Sequence, residues 1–333
     1  MMNSFNRRSF IKAAVATSAG LPLLRSNPAS AQQITGKRVG IIGLDTSHST
    51  AFAKALNTTD PDPAYDGYKV VAAYPYGSKD IESSTSRIPG YIEEVKKYGV
   101  EITGSIKDLL SKTDVILLET NDGRLHLHQA LEVFKSGKRM FIDKPAAASL
   151  SDVIAIYDAS KKYKIPVFSA SSLRYIKGIE SIDKKKVLGA DTYSPATLEK
   201  THPDFFWYGI HGVETLYTVM GTGCKSVSRV STPDTDIVVG IWADGRTGTF
   251  RGTRTGKHDY GGTVFTQDGN KILGPYAGYE PLLVDIIKYF KTGEVHVTPE
   301  ETIEIFAFME AADESKRQGG KSVLLESVMK ASK

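Results

Sequence analysis

Three stretches of the chain carry residue types that could do chemistry. The first, Gly40-Ile41-Ile42-Gly43-Leu44-Asp45-Thr46-Ser47-His48, is an apolar strand running into a helix. In that setting glycines let the backbone close on a pyrophosphate at a helix N-terminus. Gly43 fits the first glycine of the dinucleotide fingerprint, but Asp45 stands at the second and His48 at the third, and a carboxylate there repels phosphate. The next strand ends in Pro75-Tyr76, where an acid would hold ribose hydroxyls. If a dinucleotide binds, Lys79 or Arg87 would meet a 2′-phosphate and favour NADP over NAD. Two readings of the loop stay open: Asp45 and His48 as substrate contacts or acid and base, or Asp45 or Thr46 as a helix N-cap. The second stretch ends in Asp143-Lys144-Pro145. Pro145 disfavours helical backbone at Lys144, leaving it extended at the carboxyl end of a strand, where open α/β sheets bind ligands. A solvated lysine after a turn is the plain alternative. The third is His202-Pro203-Asp204-Phe205-Phe206-Trp207-Tyr208-Gly209-Ile210-His211-Gly212-Val213-Glu214. An imidazole such as His211 suits proton transfer near neutral pH. His211 and Glu214 share a helix face and with His202 or His48 could offer metal ligands, yet no His-Glu-x-x-His spacing occurs and no metal site is expected. The three aromatics before Tyr208 form either a sugar-stacking face or part of the core.

These residues need a scaffold, and its pattern changes once along the chain. From 37 to 148 apolar runs of strand length (39–42, 70–74, 115–118, 140–142) alternate with helical segments (49–56, 91–98, 128–134), and a strand at 167–170 follows a helix at 150–162. Alternating βα units imply a parallel sheet. Beyond Asp191, segments at 192–198, 224–231, 237–242, 248–255 and 261–267, separated by turns such as Ala243-Asp244-Gly245 and Gln267-Asp268-Gly269, read as antiparallel sheet. Helices over 281–291 and 299–317 close the chain, the latter opened by a Thr298/Glu301 capping box. The expectation is an α/β chain with an N-terminal Rossmann-type parallel sheet and a C-terminal α+β domain built on a mostly antiparallel open sheet. The boundaries read as 1–31 for a signal peptide, 37–170 for the dinucleotide-binding domain and 171–333 for a substrate and oligomerisation domain whose final helices can pack back on the first.

The signal peptide is read from Arg7-Arg8, the weakly apolar run 13–24 and Ala29-Ser30-Ala31, a twin-arginine (Tat) export pattern with a small-residue cleavage site. The run is broken by Ser18, Gly20 and Pro22 and falls short of the ~20 residues of a membrane span, so no membrane anchor is expected and the destination is periplasmic or extracellular. Residues 1–31 hold four of the 42 cations and no acid, so the rest of the chain balances 38 cations against 38 anions. A neutral surface gives no case for nucleic acid as a partner and suits a small neutral substrate. Cys224 is the sole cysteine, so no intrachain disulfide can form.

From Glu119-Thr120-Asn121 through His126 and Gly137-Lys138 to Asp143-Lys144-Pro145, the chain resembles the glucose-fructose oxidoreductase, inositol dehydrogenase and MocA (Gfo/Idh/MocA) family, with its Thr-Pro-Asn, His, Gly-Lys and Glu-Lys-Pro run. Asp143 replaces the family's Glu. The resemblance continues through Arg174-Tyr175 to the Glu310-Ala311-Ala312 helix. It implies a nicotinamide cofactor, NAD or NADP, seated on Gly43, Asp45, Thr46, Ser47, His48, Thr120, Asn121, His126, Asp143 and Lys144. It implies that Lys144 meets the reacting hydroxyl of a sugar or glycoside and favours its alkoxide-like charge. It aligns His211 with a proton-accepting histidine, places Glu214 at the final acid of the family's Asp-x-Gly-x-His-x-x-Asp, and puts Trp207 where the family has a catalytic aspartate. Tyr208, Asp204 or His202 are then the candidates for the missing acid or base. Arg174, His202 and Trp207 become substrate contacts, and a homo-oligomer is expected. An exported chain meets no free nucleotide pool, so a retained cofactor would be recycled within each turnover. The altered loop and Trp207 keep two other functions open: non-redox acid/base catalysis as a lyase or hydrolase, and carbohydrate binding without nucleotide.

Overall fold

The computed structural model describes residues 36–257 and 259–332. The export pattern at 1–31 lies outside the described residues. Six strands, β1 (Arg38–Ile42), β2 (Lys69–Tyr74), β3 (Glu101–Ile102), β4 (Val115–Leu118), β5 (Arg139–Ile142) and β6 (Val167–Ser169), pair in parallel in the order β3-β2-β1-β4-β5-β6. β4 and β5 are buried at every position, which is why they read as unbroken apolar runs. Six helices lie along this part of the chain: α1 (Ser47–Asn57), α2 (Glu82–Thr85), α3 (Ile88–Lys96), α4 (Ile106–Lys112), α5 (Gly123–Lys135) and α6 (Leu150–Tyr163). The chain order reverses between β1 and β4, so the crevice beyond their carboxyl ends is where an open sheet takes a ligand.

The second sheet contains β7 (Val187–Pro195), β8 (Cys224–Ser231), β9 (Thr235–Trp242), β10 (Thr247–Thr253), β11 (Gly261–Thr266), β12 (Gly269–Leu273) and β13 (Val323–Leu324), in the order β12-β11-β7-β10-β9-β8-β13. All neighbours are antiparallel except β7 and β10, which run parallel. Helix α7 (Ile210–Met220) is buried along its whole length, and it packs against β7 and β10. Three more helices follow: α8 (Glu280–Thr292), α9 (Pro299–Arg317) and α10 (Leu325–Ala331).

Helix α8 packs against the parallel sheet, with Leu282, Ile286 and Phe290 in one core with Val39, Ile41 and Phe141. Arg139 Nη1 donates to Phe290 O at 2.6 Å. Only half of the expected capping box forms. Thr298 accepts from the Glu301 backbone N–H, while the Glu301 side chain turns to Arg174. The sequence reading also missed the two-residue strands β3 and β13 and the hairpin partner β12, and set β7 late; the chain leaves the sheet at Pro195, freeing residues 197–199 to reach the crevice. Helix α5 starts at Gly123, capped by Asp122, earlier than the expected 128–134, so His126 lies within it.

Candidate active site

The crevice opens into a cavity of about 460 Å³ that runs from the start of α1 to α7. Gly43 (φ +95°) makes the turn that begins it: a Cβ there would sit 2.5 Å from the Thr120 backbone, so only glycine lets the loop pass the end of β4. Thr46 caps α1 by position but its side chain accepts no bond from the helix, and no acid stands in the first turn. Thr46, Ser47 and His48 line the cavity. An uncapped, positively polarised helix end therefore meets the open space.

Asp45 is not an N-cap. Its carboxylate is fully buried, takes the Asn121 N–H at 3.0 Å, and lies where a Cβ on Gly77 would be 2.0 Å from Oδ2. Burial pushes it up to about 6. The charge expected to repel phosphate is thus turned away from the cavity. Together with the open end of α1, this fits a pyrophosphate, with Arg87 and Asn121 also on the wall.

Beyond Asn121 the wall carries Lys144, Trp207, Tyr208 and His211. Lys144 Nζ lies 5.5 Å over the Tyr208 ring, and that ring packs edge-on to His211 at 4.9 Å, so Tyr208 joins the two polar groups. His211 Nδ1 and Ser171 Oγ are 2.6 Å apart. Burial, reinforced by the Lys144 charge, holds His211 well below the ordinary histidine range, so it is a neutral imidazole at neutral pH. With Nδ1–H donated to Ser171, Nε2 keeps a lone pair for a substrate proton.

Three further lining residues went unforeseen: Tyr260, Tyr276 and Tyr279. Their hydroxyls are tied in, Tyr208 to Tyr260 at 2.9 Å, Ser172 to Tyr276 at 2.9 Å and Ser47 to Tyr279 at 3.3 Å. A visible signal was the loop Gly274-Pro275-Tyr276-Ala277-Gly278-Tyr279, whose tyrosines sit among turn residues rather than in a periodic apolar run. Phenols around Lys144 suit a ring with one apolar face and several hydroxyls.

Several expected site residues stand behind the cavity instead. Glu214 Oε2 takes the Ser171 N–H at 3.0 Å and pairs with Arg174 at 3.4 Å, while Arg174 also binds Glu301. These two hold the segment carrying Ser171 and do not face a substrate, because α7 presents His211 to the cavity and Glu214 to its wall. Burial raises Glu214 to about 7. His202 is buried against Trp207 at 5.0 Å with Thr201 on Nδ1, so it positions the indole rather than touching a ligand. Asp204 is committed to Arg229 and Lys316 and cannot be the missing base. Phe205 and Phe206 are core, while Trp207 is half-buried and faces the cavity. His126 clamps two loops: its ring nitrogens lie 2.6 Å from Thr120 O and 3.1 Å from Ala146 O, so it sets the positions of Asn121 and Lys144. Thr120 and Asp143 are likewise buried behind the wall. His202, His211 and Glu214 do not converge as ligands, since His211 Nδ1 and Glu214 are already engaged with Ser171.

A strand order of 3-2-1-4-5-6, with an uncapped helix end at the switch point, defines a Rossmann-type nucleotide-binding fold joined to an open mixed sheet. Residues 37–171 match the model of the Gfo/Idh/MocA oxidoreductase family, NAD-binding Rossmann fold. Solved structures share the wider architecture. A probable dehydrogenase from Thermotoga maritima superposes with a TM-score of 0.70 at 20% identity, covering 87% of this chain and 99% of its own. The scyllo-inositol dehydrogenase of Lactobacillus casei, solved with NAD(H) and scyllo-inositol, gives 0.69 at 15%, covering 87% and 99%. The myo-inositol 2-dehydrogenase of Lactobacillus plantarum gives 0.68 at 17%, covering 86% and 98%. No curated protein sequence matches the chain.

Proposed function

We propose that the protein is an NAD(P)-dependent oxidoreductase acting on a sugar, glycoside or related polyol. The observation that carries this reading is that Lys144 and His211 line the same cavity as the open N-terminus of α1. Thr46, Ser47 and Asn121 would hold the pyrophosphate and Arg87 a 2′-phosphate, which favours NADP(H). When bound, the nicotinamide supplies the hydride acceptor or donor. His211 Nε2 takes the proton of the reacting hydroxyl, and the Lys144 ammonium stabilises the negative charge left on that oxygen. Trp207, Tyr208 and Tyr260 hold the ring and exclude water. The bound inositol of the Lactobacillus casei enzyme supports a cyclic polyol or pyranose as substrate class.

Residues 37–170 form the nucleotide half in this reading and 171–333 the substrate half. The exposed apolar residues Val230, Ile241, Phe265 and Ile272 on the second sheet support a homo-oligomer. Arg7-Arg8 and the apolar run after it support export by the twin-arginine route, with the cofactor retained. Non-redox acid/base catalysis is the second reading, favoured by the buried carboxylates Asp45, Glu119 and Asp143 behind the phosphate seat. Mass spectrometry of small molecules released on denaturing the purified protein separates the two. Stoichiometric NAD(P)(H), or binding on addition, is the expected result; neither being seen overturns the oxidoreductase reading.

A further inference from the structure

Behind the β1–α1 loop, the first turn of α1 and the ends of β4 and β5 bring His48, Glu119 and Asp143 together, all buried, with one donor atom of each within 4.8 Å of the others. Glu119 closes β4, and neither of its carboxylate oxygens has a hydrogen-bond partner. Asp143 closes β5; its Oδ1 accepts the Lys144 N–H at 2.8 Å, which leaves Oδ2 aimed at His48 Nδ1, 2.9 Å away. His48 is held from its other side by the Tyr279 ring at 4.5 Å. A buried carboxylate with both oxygens unmatched is not left so in a stable interior, because stripping its water costs several kcal/mol. The centre of this group must hold a proton or a cation.

We propose that it holds a first-row divalent cation, Zn2+ or Mn2+, ligated by His48 Nδ1, Glu119 and Asp143 Oδ2. One imidazole and two carboxylates suit ions of intermediate hardness. Donors about 2.1 Å from a shared ion lie roughly 3 to 4 Å apart, so the three side chains need to draw in by less than about 1 Å. The ion cancels the two acids and leaves the rear of the loop neutral. A dinucleotide phosphate at the start of α1 is then tolerated in spite of them, a consequence that rests on the oxidoreductase reading, whereas the metal site itself does not.

The test uses full-length, tag-free protein incubated with ZnCl2 or MnCl2, desalted, and analysed by inductively coupled plasma mass spectrometry with no nucleotide present. One metal equivalent per chain is expected, falling more than about tenfold in Glu119→Gln with an unchanged circular dichroism spectrum. If that variant fails to fold, Asp143→Asn is read in the same way, since its amide oxygen still accepts the Lys144 N–H. A wild-type chain that retains no metal, or variants that retain as much as wild type, would assign a proton to Glu119 and overturn the proposal. Metal retained without nucleotide binding would sink the oxidoreductase reading and keep this one; the converse result would do the reverse.

Discussion

Under the second sheet, Arg229 stands fully buried among three acids: Nε donates to Asp236 at 2.9 Å, Nη2 to Asp204 at 2.7 Å and Nη1 to Asp313, with the Phe205 ring 4.1 Å from the guanidinium. Behind the β1–α1 loop, Asp45, Glu119 and Asp143 gather with His48, and oxygens of Asp45 and Glu119 have no partner. One cluster has a cation built into the chain at its centre. The other has Lys144 beside it, but that side chain is turned over Tyr208 toward the cavity. Both are buried acids, yet the first is matched by the chain's own cation and the second keeps carboxylate oxygens that no donor meets. Saturated polar networks rigidify a fold, and unsaturated ones at a strand-end crevice mark a place where a ligand acts.

The contrast can be broken most directly at Arg229. Arg229→Met takes the cation from buried Asp313 and leaves Asp236 to Arg254 and Asp204 to Lys316; it should lower the unfolding free energy by about 3–5 kcal/mol in urea denaturation, and a loss under 1 kcal/mol would mean that this cluster is no more self-sufficient than the other. Lys144→Ala tests the boundary of the second cluster. Turnover on the substrate should fall at least about 100-fold while the melting temperature moves little, and preserved turnover would remove Lys144 from the chemistry altogether. Ser171→Ala, which frees the His211 ring, should cost roughly tenfold in kcat with a small change in KM. Equal effects on both constants would indicate a binding role instead.

The smallest effect is expected at Asp45. Its acid form is favoured in the fold, with the pKa at about 6, so the wild type should lose stability as pH rises from about 4 to 6, between the ordinary carboxylate value and the folded one. Asp45→Asn keeps an acceptor for Asn121 and removes that loss. It should melt higher than wild type at pH 8, by a few degrees, and no differently near pH 4. A variant less stable than wild type at pH 8 would mean that the carboxylate charge is itself required, as a neighbouring bound cation would require.

Much of this was legible in the sequence because local pattern and burial agree. The apolar runs of β1, β4 and β5 sit at the centre of a parallel sheet and announce themselves, and Pro145 fixes where Lys144 must stand. What was not legible depends on which way a side chain turns at a strand end. Asp45 reads as an obstruction to phosphate until Gly77 is seen to leave room for its carboxylate. Glu214 shares a helix with His211, yet lies behind it, because the spacing fixes the helix face but not what lies opposite it. Glu119 was visible as the single charge closing the run Val115-Ile116-Leu117-Leu118, but its partners come from the start of α1 and the end of β5, which only the sheet order brings near.

Asp143 and Lys144 are consecutive residues facing opposite ways, one toward the cluster behind the loop and the other into the cavity. Their charges are therefore joined by a single peptide unit, well inside the ~8 Å over which physiological salt screens, and buried protein lies between them. Ionic strength cannot uncouple them. Any change of charge behind the loop, whether by proton or by ion, is felt at the ammonium in the cavity, so the rear of this loop sets the field in which the front works.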